Sequence, residues 1–209
     1  PGQPERVAAV TGTAGKTSVA EFTRQLCAAA GRRAASLGTL GLLGALEEKG
    51  NLTTPDPVAL HERLARLAAD GVTHLAMEAS SHGLDQRRLD GVVLSAVGFT
   101  NIGRDHLDYH GTFEAYLAAK LRLFDTLAPA GATVVADPDA PGAERVLAVA
   151  AARGLPTSTV GPKGEAVRLV SRTQEPTAQR LSLVVEGRAR AVVLPLVGAF
   201  QAANALVAA

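Results

Sequence analysis

Short apolar runs and amphipathic stretches alternate along most of this chain. The run Val7–Val10 leads into a turn, Thr11 to Gly15, and then Val19, Phe22, Leu26 and Ala29 recur at helical spacing until Gly31. An apolar patch, Ala34 to Leu43, precedes a polar loop rich in turn residues, Glu47 to Pro57. A helix is predicted from about Val58 to Ala69, with Leu60, Leu64 and Leu67 on its buried side and Gly71 as its stop. Strands follow at Thr73–Glu78 and Val92–Thr100, then a helix from Thr112 to about Leu127. A strand at Ala132–Ala136, a helix at Ala140–Ala152 and a short strand at Thr157–Val160 continue the alternation. This order predicts an α/β fold, a mostly parallel sheet with helices on both faces. From Ala166 the period changes. Val167–Ser171, Leu181–Glu186 and Ala191–Leu196 are short runs joined by polar turns, so a small antiparallel sheet is expected in the last third, before an Ala-rich helical stretch, Ala199 to Ala209.

Two positions break the pattern. On the helix after Thr112, the residues Phe113, Tyr116, Leu117, Leu121 and Phe124 form one apolar stripe, and Lys120 lies on it. An ammonium facing a core costs several kcal/mol, on the order of a lost ion solvation shell, unless it is paired, neutralised or chemically changed. A lysine snorkelling along the apolar edge is the simpler account. The second is the turn after the first strand, Val10-Thr-Gly-Thr-Ala-Gly-Lys-Thr-Ser18. Strand, Gly-containing turn and Lys-Thr opening a helix form a phosphate loop. Backbone N–H groups and the helix N-terminus face the anion, the lysine reaches the terminal phosphates, and the neighbouring hydroxyl ligates magnesium. A strict form of the motif would have glycine where this chain has Val10.

Composition narrows the class. The chain has 209 residues, enough for one large domain with its own core, and only 3% aromatics with no Trp, so that core must be built from Leu, Val and Ala. A formal net charge of +1 and the absence of a basic run give no case for nucleic acid or an acidic membrane surface. The single Cys27 rules out an internal disulfide, which fits a cytoplasmic protein, and no apolar run is long enough to cross a membrane. The chain begins at Pro1 and stops in the Ala-rich stretch, and is read as a segment of a longer protein.

In such sheets ligands gather at the carboxyl ends of the strands. Polar residues concentrate there: Lys16 and Thr17 after the first strand, Met77-Glu-Ala-Ser-Ser-His-Gly-Leu84 after the third, and Thr100, Asn101, Asp105 and His106 after the fourth. Taken together, Thr11-Gly-Thr-x-Gly-Lys-Thr17, Met77-Glu-x-Ser-Ser-His-Gly-Leu84, Thr100-Asn-x-x-x-Asp-His-Leu-Asp-Tyr-His-Gly111, Tyr116-x-x-Ala-Lys120 and Gly198-Ala-Phe-x-x-x-Asn204 resemble the central domain of a Mur ligase. The match is most similar to the MurE type, which adds the third amino acid to a UDP-N-acetylmuramoyl-dipeptide.

The resemblance implies an ATP-dependent ligase of peptidoglycan precursor synthesis. An amino-terminal domain for the uridine nucleotide and a carboxy-terminal domain for the amino acid would lie outside residues 1–209. ATP would phosphorylate a substrate carboxylate, and the amine of the next residue would displace phosphate from the acyl phosphate. Gly12, Thr13, Ala14, Gly15, Lys16, Thr17 and Ser18 would cradle the phosphates, and Asn204 would read adenine. Thr17 and Glu78 would hold one Mg²⁺, and His106 with Lys120 a second, the lysine as a carbamate. Thr53, Thr54, Ser80, Gln86 and Arg88 match positions that grip the muramoyl-peptide. Two residues depart from the family pattern: Ala14, where Asn is usual, and Gln201, where Asn is common. Of the other histidines, His61 and His74 are assigned to surface or helix-end places and His110 to a structural one. A folylpolyglutamate synthetase-like ligase and a non-catalytic ATP-binding relative are the alternatives, and L-lysine and meso-diaminopimelate are not separated as the third amino acid.

Overall fold

A computed structural model describes residues 2–50 and 52–209. Pro1, where the chain begins, and Asn51, in the polar loop, lie outside the described residues. The alternation of short β-rich runs and amphipathic stretches resolves into one ten-stranded sheet, ordered β10-β9-β8-β7-β6-β5-β1-β4-β2-β3. Its centre is β1 (Arg6–Thr11), paired in parallel with β4 (His74–Glu78) on one side and β5 (Ala96–Phe99) on the other. Beyond β4 lie β2 (Ala34–Gly38), parallel, and β3 (Gly41–Gly44), antiparallel. Beyond β5 the parallel run continues through β6 (Thr133–Ala136) and β7 (Thr157–Gly161). The last three strands, β8 (Val167–Gln174), β9 (Gln179–Val185) and β10 (Arg188–Leu194), pair antiparallel among themselves, and β8 joins β7 in parallel. The antiparallel part therefore extends the main sheet.

Because side chains alternate across a strand, each face has its own core. On one face Val7, Met77, Val97, Phe99 and Val134 pack under α2 (Pro57–Ala69), α3 (Ser81–Asp85), α5 (Phe113–Arg122) and α6 (Ala143–Ala152). Helix α2 is set by its sequence: the Asp56 side chain accepts from the Ala59 N–H, Pro57 occupies the first turn, and Leu60, Leu64 and Leu67 are wholly buried. Each such leucine contributes roughly 1.5–3 kcal/mol. On the other face Val10, Val19, Ala20 and Val160 meet α1 (Lys16–Ala29) and α7 (Ala199–Ala208). A short helix, α4 (Leu107–His110), lies between β5 and α5.

The structure corrects several expectations. The strand expected at Val92–Thr100 is only Ala96–Phe99. The backbone of Val93 pairs instead with the Gln3 side chain, whose Nε2 donates to the Val93 carbonyl (2.8 Å) and whose Oε1 accepts from its N–H (3.0 Å), while Val92 and Leu94 still reach the core. Helix α1 buries Val19 and Ala20 and leaves Leu26 and Ala29 exposed. Phe113 is exposed at the start of α5, whereas Tyr116, Leu117, Lys120 and Phe124 are buried as the stripe requires. After Arg122 the helix widens into a π-type turn, Leu123–Leu127, before Ala128. His61, in the second turn of α2, is half-buried, with its Nε2 3.0 Å from the Asp90 carbonyl. Among the described residues no helix is long and apolar enough to cross a membrane.

Candidate active site

The turn after β1 is held from behind. Gly15 is left-handed (φ 92°), and a side chain at Gly12 would meet the Thr100 hydroxyl at 1.9 Å, so both glycines are required. Asn101, just past β5, clamps the loop with both ends of its amide: Oδ1 accepts from the Ala14 N–H (3.2 Å) and Nδ2 donates to the Ala14 carbonyl (3.1 Å). The Thr100 hydroxyl donates to the same carbonyl (2.7 Å), and the Asn101 carbonyl accepts from the Thr13 N–H (2.9 Å). These bonds need only the backbone of residue 14, which is why Ala14 leaves the loop's shape intact. Asn204 is buried with its amide against Gly15, where a Cβ would come within 2.3 Å of Asn204 Oδ1.

Two lysines converge on this loop. Lys16 Nζ donates to the carbonyls of Gly12 (2.9 Å) and Thr13 (3.0 Å). Lys120, 1% exposed, donates to the same Gly12 carbonyl (2.8 Å) and lies 4.4 Å from the centre of the Tyr116 ring. Snorkelling is excluded by that burial. Desolvation, assisted by the charge of Lys16 and opposed by Asp105, brings the Lys120 pKa down to about 7. Burial also lowers that of Lys16, against the attraction of Glu78 and Asp105.

Glu78, at the end of β4, is 2% exposed and is aimed by Thr39: Oε1 accepts from the Thr39 N–H (2.7 Å) and Oε2 from its hydroxyl (3.3 Å). Gly38 makes room for the carboxylate, since a Cβ there would sit 2.0 Å from Oε1. His106 stands on α4's threshold in the left-handed region (φ 50°), half-exposed, with Nε2 3.5 Å from Asp105 Oδ2. His82 packs edge-on against it, with ring centres 4.8 Å apart, and burial lowers the His82 and His110 pKa values.

A cavity of about 170 Å³ brings together Lys16, Thr17, Glu78, His106 and Lys120, with Thr13, Gly15, Thr53 and Ser80 also in its wall. Gly12, Ala14, Ser18 and Asn204 are not in its wall. A larger groove, about 570 Å³, runs along the second face of the sheet between small apolar side chains such as Ala8, Val10 and Ala96, and holds none of these polar residues. Of the residues matched to peptide binding, Thr53 and Ser80 face the cavity. Thr54 is buried and its hydroxyl is committed, donating to the Glu78 carbonyl (3.0 Å) and accepting from the Ser80 N–H (3.0 Å), so it shapes the turn from within. Gln86 and Arg88 lie outside the cavity wall, bonded to each other (Arg88 Nη2 to Gln86 Oε1, 2.6 Å), with Arg88 Nη1 donating to the Thr54 carbonyl (2.7 Å).

Sequence reasoning did not find Thr39 and Ser81, which also line the cavity. Thr39 sits inside an apolar patch with nothing beside it to mark it. Ser81 stood in the Met77–Leu84 motif without a role of its own, and the two serines divide the work: Ser80 caps α3 by accepting from the Gly83 N–H (3.0 Å), leaving Ser81 to the cavity.

The donor set suits magnesium held jointly with phosphate. Among the described residues no three His, Cys, Asp or Glu side chains stand close enough to hold a metal. Mg²⁺ needs no such cage, since it is commonly bound by one or two carboxylates with phosphate oxygens and water. Glu78 and the Thr17 hydroxyl offer hard oxygens beside the Gly12–Gly15 turn.

The chain shares 55% identity over 208 residues with the UDP-N-acetylmuramoyl-L-alanyl-D-glutamate–2,6-diaminopimelate ligase of Agrobacterium fabrum, spanning 99% of this chain and 42% of that protein. The ligase of the same name from Caulobacter vibrioides is 54% identical over 216 residues, spanning 99% and 44%. A solved structure of a ligase of that name superposes with a TM-score of 0.88 at 32% identity, over 99% of this chain and 42% of that one. The chain thus spans less than half the length of the relatives it matches. Residues 10–209 match the Mur ligase middle domain, and the chain belongs to the Mur ligase family.

Proposed function

We propose that this domain is the ATP-using centre of a ligase that joins 2,6-diaminopimelate to UDP-N-acetylmuramoyl-L-Ala-D-Glu in the cytoplasm. The observation that carries the reading is the single cavity in which the phosphate loop meets Glu78, His106 and the buried Lys120. The relatives' names supply the substrates. They also favour this ligase over a folylpolyglutamate synthetase-like one, and the full set of phosphate-facing residues favours an enzyme over a non-catalytic relative.

In this reading Lys16 and the loop amides bind the β- and γ-phosphates of ATP and offset the charge that shifts as the γ-phosphoryl group moves to the substrate carboxylate. Asn204, behind Gly15, marks the side on which the adenine is read. Thr17 with Glu78, and His106 with Lys120, would hold Mg²⁺, which would supply positive charge to offset the phosphate and carboxylate oxygens. Lys120 serves as a carbamate: its neutral amine adds to the carbon of CO₂ and loses a proton, which converts a buried cation into an anion with two oxygens. The lowered pKa makes the neutral amine accessible near pH 7. Thr53, Ser80, Gln86 and Arg88 orient the peptide, the guanidinium of Arg88 being suited to a carboxylate. The other two domains would complete the uridine and amino-acid sites.

The test is a coupled assay of the protein at its natural length with ATP, Mg²⁺, the UDP-muramoyl-dipeptide and either 2,6-diaminopimelate or L-lysine. Amide product and phosphate release are expected with diaminopimelate. Turnover with lysine alone, or glutamylation of a folate instead, would overturn the assignment. Residues 1–209 by themselves are expected to fold and to make no amide product.

A further inference from the structure

The motif Tyr116-x-x-Ala-Lys120 contributes its lysine to the reading above and leaves its tyrosine without a part. Tyr116 is completely buried, and nothing about filling a core requires its hydroxyl. That hydroxyl shares a 3.0 Å hydrogen bond with the Thr13 hydroxyl, in the middle of the phosphate loop. Thr13 Oγ1 also accepts from the Gly103 N–H (2.9 Å), so the loop is tied through this one oxygen to both α5 and the segment after β5. The face of the same ring lies 4.4 Å from Lys120 Nζ, one helical turn further along. On its other sides stand His110 and His106, with ring centres at 5.3 and 6.2 Å.

We propose that Tyr116 is a positioning residue for phosphoryl transfer: its hydroxyl sets the phosphate loop through Thr13, and its ring sets the amine end of Lys120, so that one rigid side chain fixes the distance between the two. This rests on the ligase reading of the cavity. The physical argument is one of stiffness. The loop and Lys120 come from different elements, and a reaction that needs phosphate and carboxylate aligned gains from any strut that removes their relative motion. A tyrosine has only two rotatable bonds, and here both ends of it are held. Phenylalanine would fill the same space and support Lys120 while releasing Thr13.

The experiment pairs Tyr116→Phe with Thr13→Val, singly and together, in the protein at its natural length. Tyr116→Phe is expected to raise the KM for ATP about fivefold, the worth of one buried hydroxyl–hydroxyl bond, with kcat within about twofold, and Thr13→Val, which also leaves the Gly103 N–H without its acceptor, to raise it at least as much. The double variant should be no worse than the poorer single one, because both remove the same bond. Tyr116→Leu, which also removes the ring from beneath Lys120, should in addition lower kcat at least about tenfold, and Phe should restore that part. An unchanged KM in Tyr116→Phe, or effects that multiply in the double variant, would overturn the proposal. Amide hydrogen exchange on the 209-residue chain separates this from the ligase reading. Tyr116→Phe should speed exchange in the Gly12–Ser18 loop about fivefold and leave β6 and α6 unchanged, whatever reaction the cavity performs. Faster loop exchange in a protein with no ligase activity would overturn the ligase reading alone, and unaltered loop exchange would overturn the strut.

Discussion

Gly38→Ala is the smallest change that should disturb both the stability of the domain and its use of magnesium. The glycine's φ lies outside the left-handed region, so the backbone accepts alanine there without strain. What does not accept it is the carboxylate of Glu78, with Oε1 2.0 Å, Cδ 2.5 Å and Cγ 2.6 Å from the new methyl position. The carboxylate must swing away, which breaks its 2.7 Å bond from the Thr39 N–H and strands a charge that is 2% exposed. A lost partner for a buried group costs on the order of 1–3 kcal/mol and overpacking a similar amount, so about 3 kcal/mol is expected in all. For a domain of this size that corresponds to a fall in Tm of roughly 6–12 °C, which leaves the protein folded. Urea and thermal unfolding of the 209-residue chain measure it. The control is Glu78→Ala, in whose background Gly38→Ala should cost under about 1 kcal/mol because the clashing group is gone. In the natural-length enzyme Gly38→Ala should raise the Mg²⁺ concentration needed for half-maximal rate. If the variant unfolds with the wild type and needs no more magnesium, Glu78 is not held where the structure puts it, and its assignment as a ligand fails.

Lys16→Ala should abolish phosphoryl transfer and change the unfolding free energy by less than about 1 kcal/mol, since its bonds are to loop carbonyls; near-normal turnover would refute the phosphate-loop assignment. Lys120→Ala should cripple the enzyme and regain some activity with an added small carboxylic acid, whereas Lys120→Arg, which restores only positive charge, should stay inactive; an active Arg variant excludes the carbamate. Lys120 binds its proton less tightly folded, with a pKa of about 7, than unfolded, at 10.5, so the unfolded chain holds more protons between those values. Stability should therefore rise with pH from about 7 to 10.5 and be lowest below 7, and urea midpoints of Lys120→Met should lose most of that slope; an unchanged slope would contradict the burial of the amine.

The sequence made the parallel core legible because hydrophobic period and strand-end chemistry agree there. Leu60, Leu64 and Leu67 are buried as their spacing demands, and Lys120, conspicuous on an apolar stripe, is buried too. What escaped was decided by partners distant in sequence. Val93 reads as strand, yet its backbone goes to Gln3. Leu26 belongs to an apolar stripe, yet it stays exposed. At the site, Lys16, Thr17, Glu78, His106 and Lys120 were all marked by motif and do share one cavity. Thr39 was not, because a lone threonine carries no signal until the carboxylate it orients is in place. Thr54 matched a binding position, but its hydroxyl is spent on the backbone of Glu78 and Ser80.

The clamp on Ala14 also bears on how the domain folds. The phosphate motif is a short local sequence, but its shape depends on Thr100 and Asn101, which reach it only when β5 pairs with β1 across a long intervening stretch of chain. Parallel pairings of that kind close large loops and form late on the folding pathway. The cradle is therefore a product of tertiary assembly, completed when the centre of the sheet is completed. A nascent or proteolysed chain ending before Thr100 carries every residue of the motif and lacks the groups that shape it, so it should leave nucleotide untouched even though β5 itself is present.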